Sequence, residues 1–272
     1  MSRLFVFGDS FSQPYTCDRV WTQLTATGLT LELHNHSLQG TSQTYSWQLL
    51  QSLIGLLTAT DRVIVVMTHP SRTWFFKQLP AVSNINIANI DQVLTLEQQK
   101  AIELYVRYIQ RPEIDCQQVD QRLAWLCWQF AQRGLAKPLV IMAFPQNVTD
   151  PTVIEGLDLA KGTLYDIQMA ELAIAHEQVN HLWLGQDARY NHLVLDNHER
   201  LARKIVHYFQ HGGELDLTEG FVSGLIDLAA LTDPLFEAQF DPEKLALCRQ
   251  AHAQGSRYTS WRQRLGLNAL GG

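Results

Sequence analysis

Short, nearly continuous apolar runs recur along this chain, and between them lie stretches whose apolar residues return every three or four positions. The runs are Leu4 to Phe7, Leu29 to Leu33, Arg62 to Met67, Leu139 to Phe144 and His181 to Leu184, each rich in Val, Ile, Leu or Phe. A strand with one wet face alternates apolar and polar side chains. A strand covered on both faces does not, and the strands of parallel sheets are of this second kind. The intervening stretches 20–27, 44–57, 95–110, 117–133 and 197–210 carry the helical period. Strands alternating with helices imply parallel pairing through right-handed crossovers, with helices on both faces. The pattern predicts a three-layer α/β/α sandwich around a five-stranded parallel sheet, for which the flavodoxin-like order 2-1-3-4-5 is one of the two usual solutions.

Length and composition support a large core. With 272 residues, 46% of them hydrophobic and 18% charged, the chain can form one domain with an extension. Its composition changes after Gly212 and Gly213, so the expected organisation is an α/β domain over 1–212 and a helical extension over 213–272, the latter a candidate homo-oligomer contact. Residues 70–94 are too long and too rich in Asn and Pro for a simple connection, and are expected to form a lid or wall beside a site.

A net charge of −6 with scattered Lys and Arg gives no basic footprint for a nucleic-acid backbone. No apolar run approaches membrane-spanning length, and the amino terminus runs directly into a strand pattern without a leader-like segment. The expected partners include no nucleic acid and no membrane span, a small molecule being expected instead, and the expected compartment is the cytoplasm. The four cysteines, Cys17, Cys116, Cys127 and Cys248, lack zinc-site spacing and are too few for a disulfide scaffold, so reduced packing thiols are expected and no metal site.

Chemistry-bearing residues gather where the predicted strands end. The first strand runs into GDSFS, placing Asp9, Ser10 and Ser12 at its exit, at the sheet edge where open α/β folds bind ligands. Gly8 can supply a turn and Asp9 or Ser10 a helix cap; Ser10 can equally be a nucleophile. After the second strand comes HNHSLQGTSQ. Here Gly40 either makes a turn before a helix capped by Thr41 or Ser42, or directs its N–H into the same crevice as an oxyanion donor. The third strand ends in MTHPSRTW, with Thr68, His69, Arg72 and Trp74. The last polar cluster, GQDARYNHLVLDNHER, offers His192 and His198 as general bases, with Asp187 and Asp196 nearby to hold an imidazole. Asp196 also suits a cap for the following helix.

In block order, FGDSFS at 7–12, NHSLQGTS at 35–42 and a histidine before a helix bearing Leu201 and Ala202 resemble the SGNH, or GDSL-like, hydrolase family of esterases and lipases. The resemblance implies the SGNH-hydrolase form of the flavodoxin-like fold and no cofactor. It implies acyl transfer on an ester or thioester, such as an acylated sugar or lipid. Ser10 would be the nucleophile and His192 the base, with the backbone N–H groups of Ser10 and Gly40 as oxyanion donors. Two positions depart from the family pattern. Arg189 stands three residues before His192, where the family has Asp, so Asp187 is the substitute acid. MTHPSR replaces a Gly-x-Asn, so Thr68 or His69 is the candidate third donor. Asp9, His69, Arg72 and Trp74 are expected to meet substrate. These departures also leave open a family member that binds an acylated or glycan ligand without turning it over, and transfer to an acceptor other than water.

Overall fold

The computed structural model describes residues 2–70, 72, 111–146, 155–171 and 189–224, together with scattered positions from 97 to 109 and position 246. The predicted strand at His181–Leu184, most of the 70–94 insertion, Asp187, Trp74 and nearly all the extension beyond 224 lie outside them.

Among the described residues, five parallel strands form the sheet: β1 (Arg3–Phe7), β2 (Glu32–Asn35), β3 (Arg62–Met67), β4 (Leu139–Met142) and β5 (Asp158–Thr163), in the order β2-β1-β3-β4-β5. Helices α1 (Trp21–Leu29), α2 (Gln43–Leu53), α3 (Pro112–Gln132), α4 (Leu164–Ala170) and α5 (Leu195–His211) flank it. The period-two geometry of a strand explains why the apolar runs are continuous. Leu4, Val6, Ile64, Val66, Leu139 and Ile141 point to one face, against Trp21 and Ala26 of α1 and Leu201, Ala202 and Ile205 of α5. Phe5, Phe7, Val63, Val65, Met67, Val140 and Met142 point to the other, against Trp47 and Leu50 of α2 and Leu123, Leu126 and Phe130 of α3.

The strand order matches the flavodoxin-like expectation, but the fifth strand is DLAKGT at 158–163, a segment the apolar-run criterion passes over. It sits at the sheet edge, where Asp158, Leu159 and Gly162 are only partly buried, so it needs no continuous apolar run. It ends where Thr163 and Asp166 form a capping box that starts α4. The second strand starts later than its apolar run suggests, because Leu29 completes α1 and Thr30 terminates it in a left-handed conformation (φ 55°). The chain after α5 does not leave the sheet at Gly212. Lys161 N–H donates to Leu215 C=O at 2.9 Å, Leu217 N–H donates to Lys161 C=O at 2.8 Å, and Leu215 and Leu217 are buried in the core. Residues 214–217 thereby cover the exposed edge of β5.

From β1 the chain crosses to β2 on one side, then passes back over β1 to β3 on the other. The carboxyl ends of β1 and β3 therefore border a topological switch point, where such sheets have a crevice. Asp9, Ser10 and Thr68 stand there. Among the described residues, no helix is long and apolar enough to cross a membrane.

Candidate active site

The turn after β1 is built around a close approach. A Cβ on Gly8 would collide with Ser12 Oγ and lie 2.7 Å from Val66 Cβ, so only glycine lets the chain turn this tightly over β3. Asp9 then closes the turn: its Oδ1 accepts from Phe11 N–H at 3.1 Å and its C=O from Ser12 N–H at 3.1 Å. Ser10 is lifted to the rim, partly exposed, between buried Asp9 and buried Phe11.

Ser10 Oγ lies 2.7 Å from His192 Nε2, a hydrogen-bond distance. The imidazole packs on Phe11, with ring centroids 4.7 Å apart. His192 comes from a short 3-10 turn (Tyr190–His192) in which both Asn191 (φ 43°) and His192 (φ 64°) are left-handed, an arrangement that non-glycine residues resist. Asn191 Nδ2 donates to Gln13 C=O at 3.1 Å, fastening this turn to the loop after Ser10.

His198, the alternative base, lies in a different environment. It is fully buried; its Nδ1 accepts from Trp21 N–H at 3.2 Å and its Nε2 lies 2.8 Å from Tyr190 C=O. Those partners require the neutral tautomer with the proton on Nε2. Burial lowers its pKa to about 4, against the raising effect of the Tyr190 carbonyl. Asp196 is exposed in the first turn of α5 and is not its cap, a place taken by Val194 with no side-chain hydrogen bond.

The residue three before His192 explains much of the local architecture. Arg189 is 1% exposed and its Nη1 pairs at 2.5 Å with Glu171, which is fully buried at the end of α4. Glu171 also accepts from Val194 N–H at 3.0 and 3.1 Å and from Asn197 Nδ2 at 2.7 Å. One carboxylate therefore grips the histidine turn on both flanks. Burial raises the Glu171 pKa to about 7, with Arg189, Asn197 and Val194 N–H acting in the opposite direction. Asn197 continues the chain of contacts to Val222, donating to its C=O at 2.9 Å and accepting from its N–H at 2.8 Å. Glu171 was not among the residues singled out from sequence. Its one signal is an acid inside the apolar run MAELAIA.

On the other side of Ser10, the loop after β2 is joined to the β1 turn by Leu38 N–H, which donates to Gly8 C=O at 3.1 Å. Gly40 sits in this loop at φ 71°, and Ser42 caps α2 by accepting from Tyr45 N–H at 3.4 Å. The strand-end expectations for Asp9 and Thr68 are revised. Asp9 is fully buried, and its Oδ2 accepts from Thr68 Oγ1 at 2.5 Å and from Arg72 Nη1 at 3.0 Å. It stands behind the site rather than facing a substrate. The hydroxyl of Thr68 has one proton, and that proton is donated to Asp9. The Thr68 carbonyl is held by Gln43 Nε2 at 2.6 Å and Gln146 Nε2 at 3.2 Å, with Gln43 held in turn by Arg122 at 2.9 Å. Arg72 lies with its Cζ 5.1 Å from the centroid of Phe144, whose ring also meets Phe11 at 5.5 Å and exposed His69 at 5.9 Å.

Comparison with known proteins gives a likeness of shape alone. No family model matches the chain, and no curated protein does. Among solved structures, a candidate lipolytic protein of the G-D-S-L family from Desulfitobacterium hafniense DCB-2 aligns over 93% of this chain and 99% of its own, at 12% identity and a TM-score of 0.34. A candidate SGNH hydrolase from Slackia heliotrinireducens aligns over 93% and 97%, at 12% identity and a TM-score of 0.29. Among the described residues no three His, Cys, Asp or Glu side chains gather as metal ligands would.

Proposed function

We propose that this chain is a serine-dependent hydrolase of acyl esters or thioesters. The observation that carries the reading is the 2.7 Å contact between Ser10 Oγ and His192 Nε2, made at the switch-point crevice by residues that the chain strains to bring there. In this mechanism Ser10 Oγ attacks the carbonyl carbon as His192 Nε2 takes its proton. The carbonyl oxygen, now negative, accepts from the N–H groups of Ser10 and Gly40. Collapse of the tetrahedral species expels the alcohol or thiol, which receives the proton from His192, and water releases the acyl group by the same steps. Asp187 is proposed as the acid that orients the imidazole; it lies outside the described residues.

A ligand-binding protein without turnover is the second reading, favoured by the burial of Arg189 where a carboxylate would assist the base. The two separate in one experiment. Under the hydrolase reading a fluorophosphonate probe labels Ser10, and p-nitrophenyl acetate is turned over by the wild type and not by Ser10→Ala. Equal hydrolysis by both proteins refutes the assignment of Ser10, and an unlabelled, inactive wild type supports the binder.

A further inference from the structure

Resting on that hydrolase reading, we propose that Arg72 is the third donor to the transition-state oxyanion. Three observations lead there. First, Thr68 cannot fill the position, because its single hydroxyl proton is held by Asp9. Second, Arg72 is fixed across the two loops that present the backbone donors. Its Nη1 lies 3.0 Å from Asp9, the residue before Ser10, and 3.5 Å from the carbonyl of Thr41, the residue after Gly40. Third, the guanidinium is only partly used. Its side chain is 15% exposed, and Nε and Nη2 make no hydrogen bond to any described residue.

A guanidinium held this way has one nitrogen anchored, one face on Phe144 and, among the described residues, an open edge of N–H donors. When Ser10 Oγ bonds to the carbonyl carbon, the π pair moves to oxygen and the serine proton moves to His192. The new oxyanion accepts from the two backbone N–H groups and from that open edge. As the bond to the leaving oxygen breaks, the carbonyl re-forms, the leaving oxygen takes the proton from His192, and the hydrogen bond from Arg72 relaxes. A charged donor that strengthens as charge develops lowers the barrier without tightening the ground state.

Arg72 also neutralises buried Asp9, so the test must separate donor from prop. Lysine keeps the cation against Asp9 but loses the fork of donors. With p-nitrophenyl acetate as the probe, Arg72→Lys is expected to keep the wild-type melting temperature and KM within a few-fold while kcat falls about 10²–10³-fold. Arg72→Ala is expected to recover part of its rate with millimolar guanidinium and none with methylammonium. A folded Arg72→Lys with kcat within about threefold of wild type would overturn the proposal, whatever the alanine variant does; about 10²–10³-fold is the loss the donor role demands. Wild type no faster than Ser10→Ala is a different failure: it removes the hydrolase reading, and the inference with it.

Discussion

Asp9–Arg72 and Glu171–Arg189 are the same chemical pair in two settings, one on each side of the Ser10–His192 contact. Both carboxylates are fully buried, but Arg72 keeps 15% of its side chain in solvent, whereas Arg189 keeps 1%. In the first pair, Nε and Nη2 of Arg72 have no partner among the described residues. The second is enclosed by Val194, Asn197 and the end of α4, with its carboxylate acting on the backbone that carries His192. An arginine–carboxylate pair does not announce its role by its chemistry. The open pair can act on a ligand; the sealed one can act only through the residue it positions.

The largest test of this division is kinetic. Ser10→Ala and His192→Ala are each expected to lower kcat by about 10⁴–10⁶, and the double variant by no more than the worse single one, because residues acting as a unit are not additive. Steady-state turnover of an aryl ester measures it, and additive losses would mean that the two sides do not work together.

Next in size is the sealed pair. Glu171→Ala or Arg189→Ala leaves a buried charge alone and is expected to lose about 3–5 kcal/mol in denaturant unfolding. Replacing both with Met removes both charges and is expected to lose less than either single change. If the double variant is the least stable, the hydrogen bonds to Val194 and Asn197 outweigh the pairing.

Legibility in the sequence follows the same division. Strands buried on both faces betray themselves by continuous apolar runs, and β1, β3 and β4 were readable for that reason. β5 was not, since an edge strand with Lys161 and Gly162 in it has no such run. Ser10 and His192, which the structure brings to 2.7 Å, were singled out through local motif and order. Arg189 was visible only as a departure from the family pattern, because its partner lies 18 positions earlier and the pairing exists only once α4 and α5 pack. The direction of the Thr68 proton was equally hidden, being decided by a carboxylate 59 positions away.

Acidity distinguishes two props of the histidine turn by sign. Glu171, raised to about 7, disfavours the folded state as pH rises from 4.5 through 7; His198, lowered to about 4, disfavours it as pH falls from 6.5 to 4. Each effect is on the order of 3 kcal/mol, and they oppose each other. Relative to wild type in the same buffers, His198→Asn is therefore expected to gain melting temperature as pH falls from 7 to 4.5. The Glu171→Met/Arg189→Met variant is expected to lose it over 6.5 to 4. Parallel pH curves for the two variants would remove this assignment.

The smallest expected effect belongs to Asp196. Exposed in the first turn of α5 and not capping it, Asp196→Asn should lower stability by only about 0.3–1 kcal/mol through the helix dipole and leave turnover near normal. Asp187→Asn is expected to reduce turnover with little change in melting temperature. A rate loss confined to Asp196→Asn would move the acid to the helix.

The two proposed reacting side chains are 182 positions apart in the chain. At ribosomal rates of roughly 5–20 residues per second, about 10–40 seconds separate the synthesis of the serine from that of the histidine. Through that interval the growing chain carries the serine alcohol without its proposed base. The turn that bears His192 is gripped by Glu171, which accepts from Asn197, and Asn197 is clasped by Val222, so that chain of support is complete only after another 30 residues have emerged. Under the proposed function, a ribosome that stalls before Val222 releases a fragment that carries the nucleophile without its supported base.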